Sequence, residues 1–286
     1  MKLLGSIETG GTKIVCAVGY KSGQVIETIT IPTSSPEINI PEIVEFFKGK
    51  DISALGIGSF GPIDTIEDSP SYGKISNTPK LPWVNFDLIS ALRDGLSGIP
   101  MKLVTDVNEA AIGEYYLGAG KEHKSLLYIT VGTGIGAGYI SDNSLLEGFS
   151  SPEMGHILIE KVSRDNYEGS CPYHGDKCLE GLASGTAIEG RWKNKGFELR
   201  DKMEVWELEA EYLAKALTNY IYILAPEVIV MGGGIMKQKI IFKLIENSLN
   251  KIVNNYMDLN KVKIVSPALG DRSGIIGGLI LASKIV

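Results

Sequence analysis

Short β-branched apolar runs alternate along the chain with longer stretches of helical apolar spacing, the pattern of an α/β protein. Strands are predicted at 3–7, 14–19, 25–31, 54–58, 101–105, 125–131, 135–141, 227–231 and 262–265. The runs KIVCAVGY and QVIETITIP, split at Lys21-Ser22-Gly23, predict antiparallel neighbours that follow the first strand. Helices are predicted at 40–49, 85–97, 107–118, 183–195, 204–224, 238–255 and 273–284. Residues 204–224 have the clearest periodicity, with Val205, Leu208, Tyr212, Leu213, Ala216, Leu217, Tyr220, Ile221 and Leu224 at helical spacing. Asp201 and Glu204 stand three apart at its start as a capping pair, and Pro226 stops it.

A loose duplication runs through this pattern. Ile7–Thr12 and Ile129–Gly134 each end a strand in a small-residue turn, and a second strand follows each turn. A chain of 286 residues suits two units at roughly 150 residues per domain. Composition adds limits: 44% hydrophobic and 22% charged residues exclude a disordered chain. Glycine is in excess, 34 of 286 residues against a usual ~7%, which implies loops where backbone lies close to something. The net charge of −6, without a basic run, argues against a nucleic-acid partner. No charge-free apolar run reaches the roughly 18 residues of a membrane span, so no membrane partner is expected. The N-terminal apolar run is too short for a signal peptide, and three cysteines suit a reducing compartment, so a cytoplasmic enzyme is expected.

The candidate chemistry begins with glycine turns. No G-x-x-x-x-G-K-[ST] motif occurs, which excludes a Walker-type loop. Instead GGTK at Gly10–Lys13, GTGIGAG at Gly132–Gly138 and GGG at Gly232–Gly234 each follow an apolar strand. Any one of them reads equally as a tight turn; three together favour backbone N–H groups arranged around phosphates. The hydroxyls of Thr12, Thr130 and Thr133 add donors. Asp106 ends the run MKLVT directly ahead of a predicted helix. From pattern alone it is either a helix cap, with Glu109 completing a capping box, or a carboxylate at a strand end where α/β enzymes place their chemistry.

The chain resembles the ROK family (repressors, open reading frames, kinases) of the sugar kinase and actin-like ATPase architecture. The ordered motifs that carry the likeness are Ile7–Lys13, GIGSFGPID at Gly56–Asp64, DVNEAAIGE at Asp106–Glu114, Thr130–Gly138, EMGH at Glu153–His156 and APEVIVMGGG at Ala225–Gly234. The resemblance implies a two-lobed, ribonuclease H-like α/β fold with a duplicated core and an interlobe active-site cleft. Its lobes would be 1–118, completed by the C-terminal helix 273–286, and 119–272. It implies Mg²⁺ and ATP, with Gly10, Gly11, Thr12, Lys13, Thr130, Gly132, Thr133, Gly134, Pro226, Gly232, Gly233 and Gly234 at the nucleotide. It implies Asp106 as general base and Glu153, His156 and Glu180 on sugar hydroxyls, with Asn77 and Asn108 as further sugar contacts. A homodimer is implied as well.

Two departures stand out. Glu8 replaces the family's usual Asp, a residue that the resemblance places near the metal and phosphates, and Thr105 stands where many ROK glucokinases have Asn, which removes an amide from the sugar site and turns the expectation away from glucose. CPYHGDKC, GSFGPID and SNTPKLPW resemble bacterial zinc-containing fructokinases of this family, so a hexose kinase making fructose 6-phosphate is expected. Mannose and glucose are the alternative sugars. A non-catalytic sugar sensor is the alternative of another class; family repressors carry a helix-turn-helix ahead of the first strand, which here begins within the first seven residues. A ribokinase-type base in Leu269-Gly270-Asp271 is a third reading.

The histidines and cysteines form a cluster of their own. His156, Cys171, His174 and Cys178 fall within 156–178, and two imidazoles with two thiolates suit tetrahedral Zn²⁺. Four protein ligands leave no open position, so that metal would be structural. His174 replaces the middle cysteine of the family's usual C-x-C-x₄-C and stands one residue late. If one His156 nitrogen binds metal, the other is free to face substrate in a fixed tautomer.

Overall fold

The computed structural model describes residues 2–286. Its strands are β1 (Leu4–Thr9), β2 (Lys13–Gly19), β3 (Val25–Pro32), β4 (Leu55–Ser59), β5 (Met101–Thr105), β6 (Ser125–Val131), β7 (Ile135–Ser141), β8 (Ser144–Leu145), β9 (Val228–Gly232) and β10 (Lys263–Val265). Its α-helices are α1 (Pro36–Phe47), α2 (Leu88–Gly95), α3 (Asp106–Leu117), α4 (Leu179–Ala183), α5 (Gly185–Trp192), α6 (Met203–Leu224), α7 (Ile240–Val253) and α8 (Ser273–Ser283).

The chain forms two units. The first holds the residues up to Lys121 with Ser144–Pro152 and Ala268–Val286; the second holds Glu122–Asn143 and Glu153–Pro267. The sequence reading has 144–152 and 268–272 in the second unit; Ser144–Leu145 do pair in the second sheet, but Ser151, Ala268 and Leu269 bond to the first unit. Ser151 Oγ lies 3.1 Å from Thr65 Oγ1, and the amides of Ala268 and Leu269 donate to Glu114 at 3.0 and 2.9 Å.

Each unit is built on one mixed sheet. The first has the order β3-β2-β1-β4-β5 and the second β10-β9-β6-β7-β8. Reversed, the second order is third, second, first, fourth, fifth strand of its unit, the same as the first. In both, the opening strand pairs antiparallel with the second and parallel with the fourth. The duplication seen in the two glycine turns is therefore a duplication of topology. Central strands read as continuous apolar runs because both faces are covered, as in β4 and β9, where every residue is buried. The first core gathers Ile7, Phe47, Ile57 and Trp83, whose indole N–H donates to Ser34 O at 2.6 Å. In the second, Tyr212, Leu213 and Ile221 of α6 pack with Ile129, Ile229 and Ile245.

Local chemistry moved several predicted boundaries. α1 starts at Pro36 rather than at 40, because proline at the first helical position gives up no hydrogen bond. The predicted helix 183–195 is two helices broken at Ser184, whose hydroxyl caps α5 by accepting from Ala187 N at 3.1 Å. Asp201 and Glu204 form no capping pair. Lys202 precedes α6 without a side-chain cap, and Glu204 lies in the first turn, where its charge complements the helix dipole. Ala225 ends α6 in the left-handed region at φ 44°, ahead of Pro226.

The C-terminal helix α8 is buried from Ser273 to Ala282, and its apolar residues point all round, as a fully enclosed helix requires. Two glycines let main chains touch there. A Cβ on Gly277 would stand 1.7 Å from Glu109 O of α3, and one on Gly56 of β4 would stand 2.0 Å from Gly278 O. Both carbonyls belong to fixed secondary structure, so neither can yield. No described helix is long and apolar enough to cross a membrane.

Two measurements test this packing. Gly277→Ala should cost several kcal/mol, at or above the usual ~1–3 kcal/mol of an overpacked site, and appear as a large drop in melting temperature. Glu209 of α6 is fully buried, neither carboxylate oxygen has a hydrogen-bond partner among the described residues, and burial raises its pKa well above the usual value, against a smaller lowering by Arg191. A raised folded pKa gives stability that is complete below the unfolded pKa and falls as pH climbs toward the folded one. Glu209→Gln removes that proton linkage, so its melting temperature should gain on the wild type between pH 5 and pH 8, by about 3 °C or more at the upper end. A pH-independent difference would contradict the assignment.

Candidate active site

In the first unit, register brings three strand ends into one row. Thr9 of β1 pairs beside Ser59 of β4, and Ser59 beside Thr105 of β5, all parallel. The turn Gly10–Thr12, the loop from Phe60 and Asp106 therefore leave the sheet at one edge, where α/β folds gather their functional groups. The turn is pinned: Gly10 N donates to Lys13 O at 2.9 Å, and Thr33 Oγ1 to Gly10 O at 2.7 Å.

Asp106 is not the cap of α3. Thr105 is, its hydroxyl accepting from Asn108 N at 3.2 Å. Asp106 is the first helical residue, and its Oδ1 accepts from Val107 N at 2.9 Å. Glu109 completes no capping box either. It is fully buried, takes a 3.3 Å hydrogen bond from Ser6 Oγ, and is pushed well above the usual carboxylate range by burial first and by the charges of Glu8 and Asp106 next. Asn108 is 2% exposed, and its side-chain nitrogen has no hydrogen-bond partner among the described residues. Asn77 lies exposed in the loop after Ile75. Glu8 is raised above its usual pKa by burial, opposed by Lys13 and reinforced by Asp271.

The second unit repeats the arrangement. Thr130 of β6 pairs with Gly232 of β9, so the turns Gly132–Gly134 and Gly232–Gly234 also leave one sheet edge. Gly132 N donates to Gly134 O at 2.9 Å, and α5 starts against this turn, with Gly185 N on Gly132 O at 2.7 Å and Thr186 Oγ1 on Thr133 O at 2.8 Å. A cavity of about 820 Å³ opens here, its walls including Gly132, Thr133, Thr186, Gly196, Phe197 and Gly234. That volume is within the range of small-molecule and cofactor sites. Pro226 is not a wall; it precedes β9, at the opposite end of the strand from Gly232. Sequence reasoning missed Gly185, Thr186, Gly196 and Phe197. The Ser-Gly-Thr start of α5 is a legible cap signal, whereas Gly196–Phe197 has no periodicity to betray it.

Glu153, His156 and Glu180 meet the expected metal residues in the second unit, whereas Asn77 and Asn108 belong to the first. His156 ends a 3₁₀ turn, Met154–His156. Its Nδ1 lies 3.8 Å from both Cys171 Sγ and Cys178 Sγ, and Cys171 Sγ lies 3.5 Å from His174 Nδ1. The ligand atoms of all four side chains fall within 4.8 Å of one another. A tetrahedral ion with metal–sulfur bonds of ~2.3 Å and metal–nitrogen bonds of ~2.0 Å separates such atoms by about 3.5 Å, so the cluster fits a four-coordinate metal with little movement. Burial pushes the Cys178 thiol up to about 11, and a bound cation is what would favour its thiolate.

The other face of the His156 ring points away from the thiols. Nε2 lies 3.8 Å from Glu180 Oε1, while Glu180 Oε2 accepts from Ile135 N at 2.9 Å. Glu153 faces the same pair; burial raises its pKa, His156 lowers it and Glu180 raises it again. Two carboxylates and an imidazole thus converge beside the glycine turn, a set able to hold several hydroxyl groups.

The pattern of the ROK family matches residues 4–285. This chain belongs to the ROK family. A ROK relative from Bacillus subtilis (strain 168) is 49% identical over 99% of this chain and 96% of its own. The fructokinase of Pediococcus pentosaceus is 41% identical over 98% of this chain and 97% of its own. That of Streptococcus mutans serotype c is 40% identical over 99% and 98%. The ROK glucokinase of Streptomyces griseus, solved in complex with glucose and AMPPNP, shares the fold at a TM-score of 0.78 and 23% identity, over 99% of both chains.

The purified protein should carry about one tightly held divalent metal per chain, by elemental analysis. Cys178→Ser should remove most of it and lower the melting temperature, and a strong chelator should lower that of the wild type. A metal-free protein of unchanged stability would overturn the cluster as a metal site.

Proposed function

We propose that this ROK protein is a fructokinase, which transfers the γ-phosphoryl group of ATP to the 6-hydroxyl of D-fructose and yields D-fructose 6-phosphate and ADP. The observation that carries the substrate is the 40–41% identity, over nearly the whole chain, to fructokinases of two organisms.

Asp106 is the proposed general base. Its place directly after β5, two residues from Asn108, whose side-chain nitrogen has no hydrogen-bond partner among the described residues, supports the role. As the sugar hydroxyl oxygen attacks the γ-phosphorus in line, its proton passes to the Asp106 carboxylate, and the bond from phosphorus to the ADP oxygen breaks. Glu153, His156, Glu180 and Asn108 orient the sugar hydroxyls, with Asn77 as a further contact. The donor phosphates are held by the backbone of Gly132–Gly134 and Gly232–Gly234, with Thr130, and by Gly10–Lys13. Mg²⁺ bound with the donor supplies neutralisation of phosphate charge.

Zinc held by His156, Cys171, His174 and Cys178 has a structural role in this reading. Four ligands leave no place for reacting water, and His156 passes the constraint on to Glu180. The proposed setting is the cytoplasm, where thiols stay reduced, and the proposed assembly, by family likeness, is a homodimer.

ADP release measured with fructose, mannose and glucose tests the assignment. Fructose should give the highest kcat/KM, and Asp106→Asn should lower kcat by about 10²–10⁴-fold with its fold intact. Asp271→Asn should keep most activity. Equal low rates with every sugar would remove the fructose assignment, and sugar binding without turnover would favour the sensor. Loss of activity in Asp271→Asn but not in Asp106→Asn would move the base to the C-terminal motif.

A further inference from the structure

The cavity of the second unit has two chemically different regions. Around Gly132, Thr133 and Thr186 it is made of small residues and backbone, joined by the Thr186–Thr133 hydrogen bond. Ile235 bridges to the other region, since a Cβ on Gly185 would stand 3.7 Å and one on Gly196 3.3 Å from its Cδ1. There Ile235, Trp206 and Phe197 supply apolar wall among the charged side chains of Lys195, Arg200 and Lys239. Trp206 is 2% exposed and Ile235 9%, but Phe197 is 64% exposed.

An aromatic ring left two-thirds uncovered on a cavity wall forgoes the burial that favours such rings in a core. The turn beneath it is nevertheless rigid. Lys195 N donates to Glu198 Oε2 at 2.8 Å, Leu199 N donates to Gly196 O at 3.1 Å, and Leu199 is 2% exposed. Two polar side chains of this wall already have partners in the protein. Gln238 Nε2 donates to Arg200 O at 2.7 Å, and Trp206 Nε1 to Leu199 O at 3.0 Å and Arg200 O at 3.1 Å. An uncovered ring on a pinned turn offers a flat partner its face, and stacking of this kind tolerates any base.

We propose that the aromatic base of the phosphoryl donor stacks on Phe197, and that ring area rather than the pattern of polar groups on the base edge selects the donor. The assignment rests on the kinase reading above and names what that reading leaves open, the residue that distinguishes one donor from another. Adenine and guanine nucleotides are then both accepted, pyrimidine nucleotides bind more weakly, and tripolyphosphate, which has no base, gains nothing from Phe197.

The test compares wild type, Phe197→Ala and Phe197→Trp with ATP, GTP, CTP and tripolyphosphate as donors. Phe197→Ala should raise the KM for ATP about tenfold or more, the usual effect of removing one stacking contact, while kcat and the KM for fructose stay within about twofold. Phe197→Trp should restore the KM, and GTP should serve with a KM within about tenfold of that for ATP in the wild type. Titration of tryptophan emission with ADP, with Trp206→Phe as control, reads the same contact without turnover. If no sugar is phosphorylated but ADP still binds more weakly to Phe197→Ala, the kinase reading fails while the base contact stands. An ADP affinity unchanged in Phe197→Ala, or a KM for GTP more than about a hundredfold above that for ATP, overturns the proposal.

Discussion

Main chain pressed against main chain at α8 is the constraint on which the first unit depends. Gly277 lets the helix reach the Glu109 carbonyl of α3, and Gly56 lets the Gly278 carbonyl reach β4. Such a contact has almost no slack, because its atoms belong to hydrogen-bonded elements and interiors are close-packed. α3 opens with Asp106 and β1 ends near Glu8, so one buried helix sets the positions of both carboxylates. Reactions that need atoms aligned to within about 1 Å gain from a scaffold of this stiffness.

The second unit reaches comparable stiffness by other means. Besides a close glycine contact of its own, where a Cβ on Gly181 of α4 would stand 2.1 Å from Gly175 O, it uses a relay of polar groups. Cys171 and Cys178 face one nitrogen of His156, the other nitrogen faces Glu180, and Glu180 grips the amide of Ile135 directly after the glycine turn. A metal in the cluster would fix the imidazole tautomer and thereby the direction of the hydrogen bond offered beyond it. The loop that carries the metal residues and the turn proposed to carry phosphate are thus one mechanical object.

Much of this was legible in the sequence. The long apolar periods of α6 and the β-branched runs of the sheets follow directly from burial, and the repeated strand–glycine–strand motif announced the duplicated topology. The four metal residues were visible because His and Cys are scarce in this chain. Capping was harder to see. Thr105 and Asp106 are adjacent and both suit the position, and only the backbone decides which hydroxyl or carboxylate meets the Asn108 amide. The Asp201–Glu204 spacing matched a capping pair without forming one, since spacing does not fix where the first turn begins. Phe197 and Gly196 were invisible because no periodicity marks them, and the neighbours of Gly196, Trp206 and Ile235, come 10 and 39 residues later in the chain.

The place of α8 in the chain has a consequence for how the protein is made. Most of the first unit is synthesised before the second, yet its sheet and α3 pack on a helix that begins only at Ser273. The nascent N-terminal segment therefore emerges with an apolar face uncovered and waits through synthesis of the entire second unit for its closing piece. At roughly 5–20 residues per second that interval lasts on the order of ten seconds or more, long enough for a chaperone to matter. Completion of the first unit therefore comes after the residues of the second have been made.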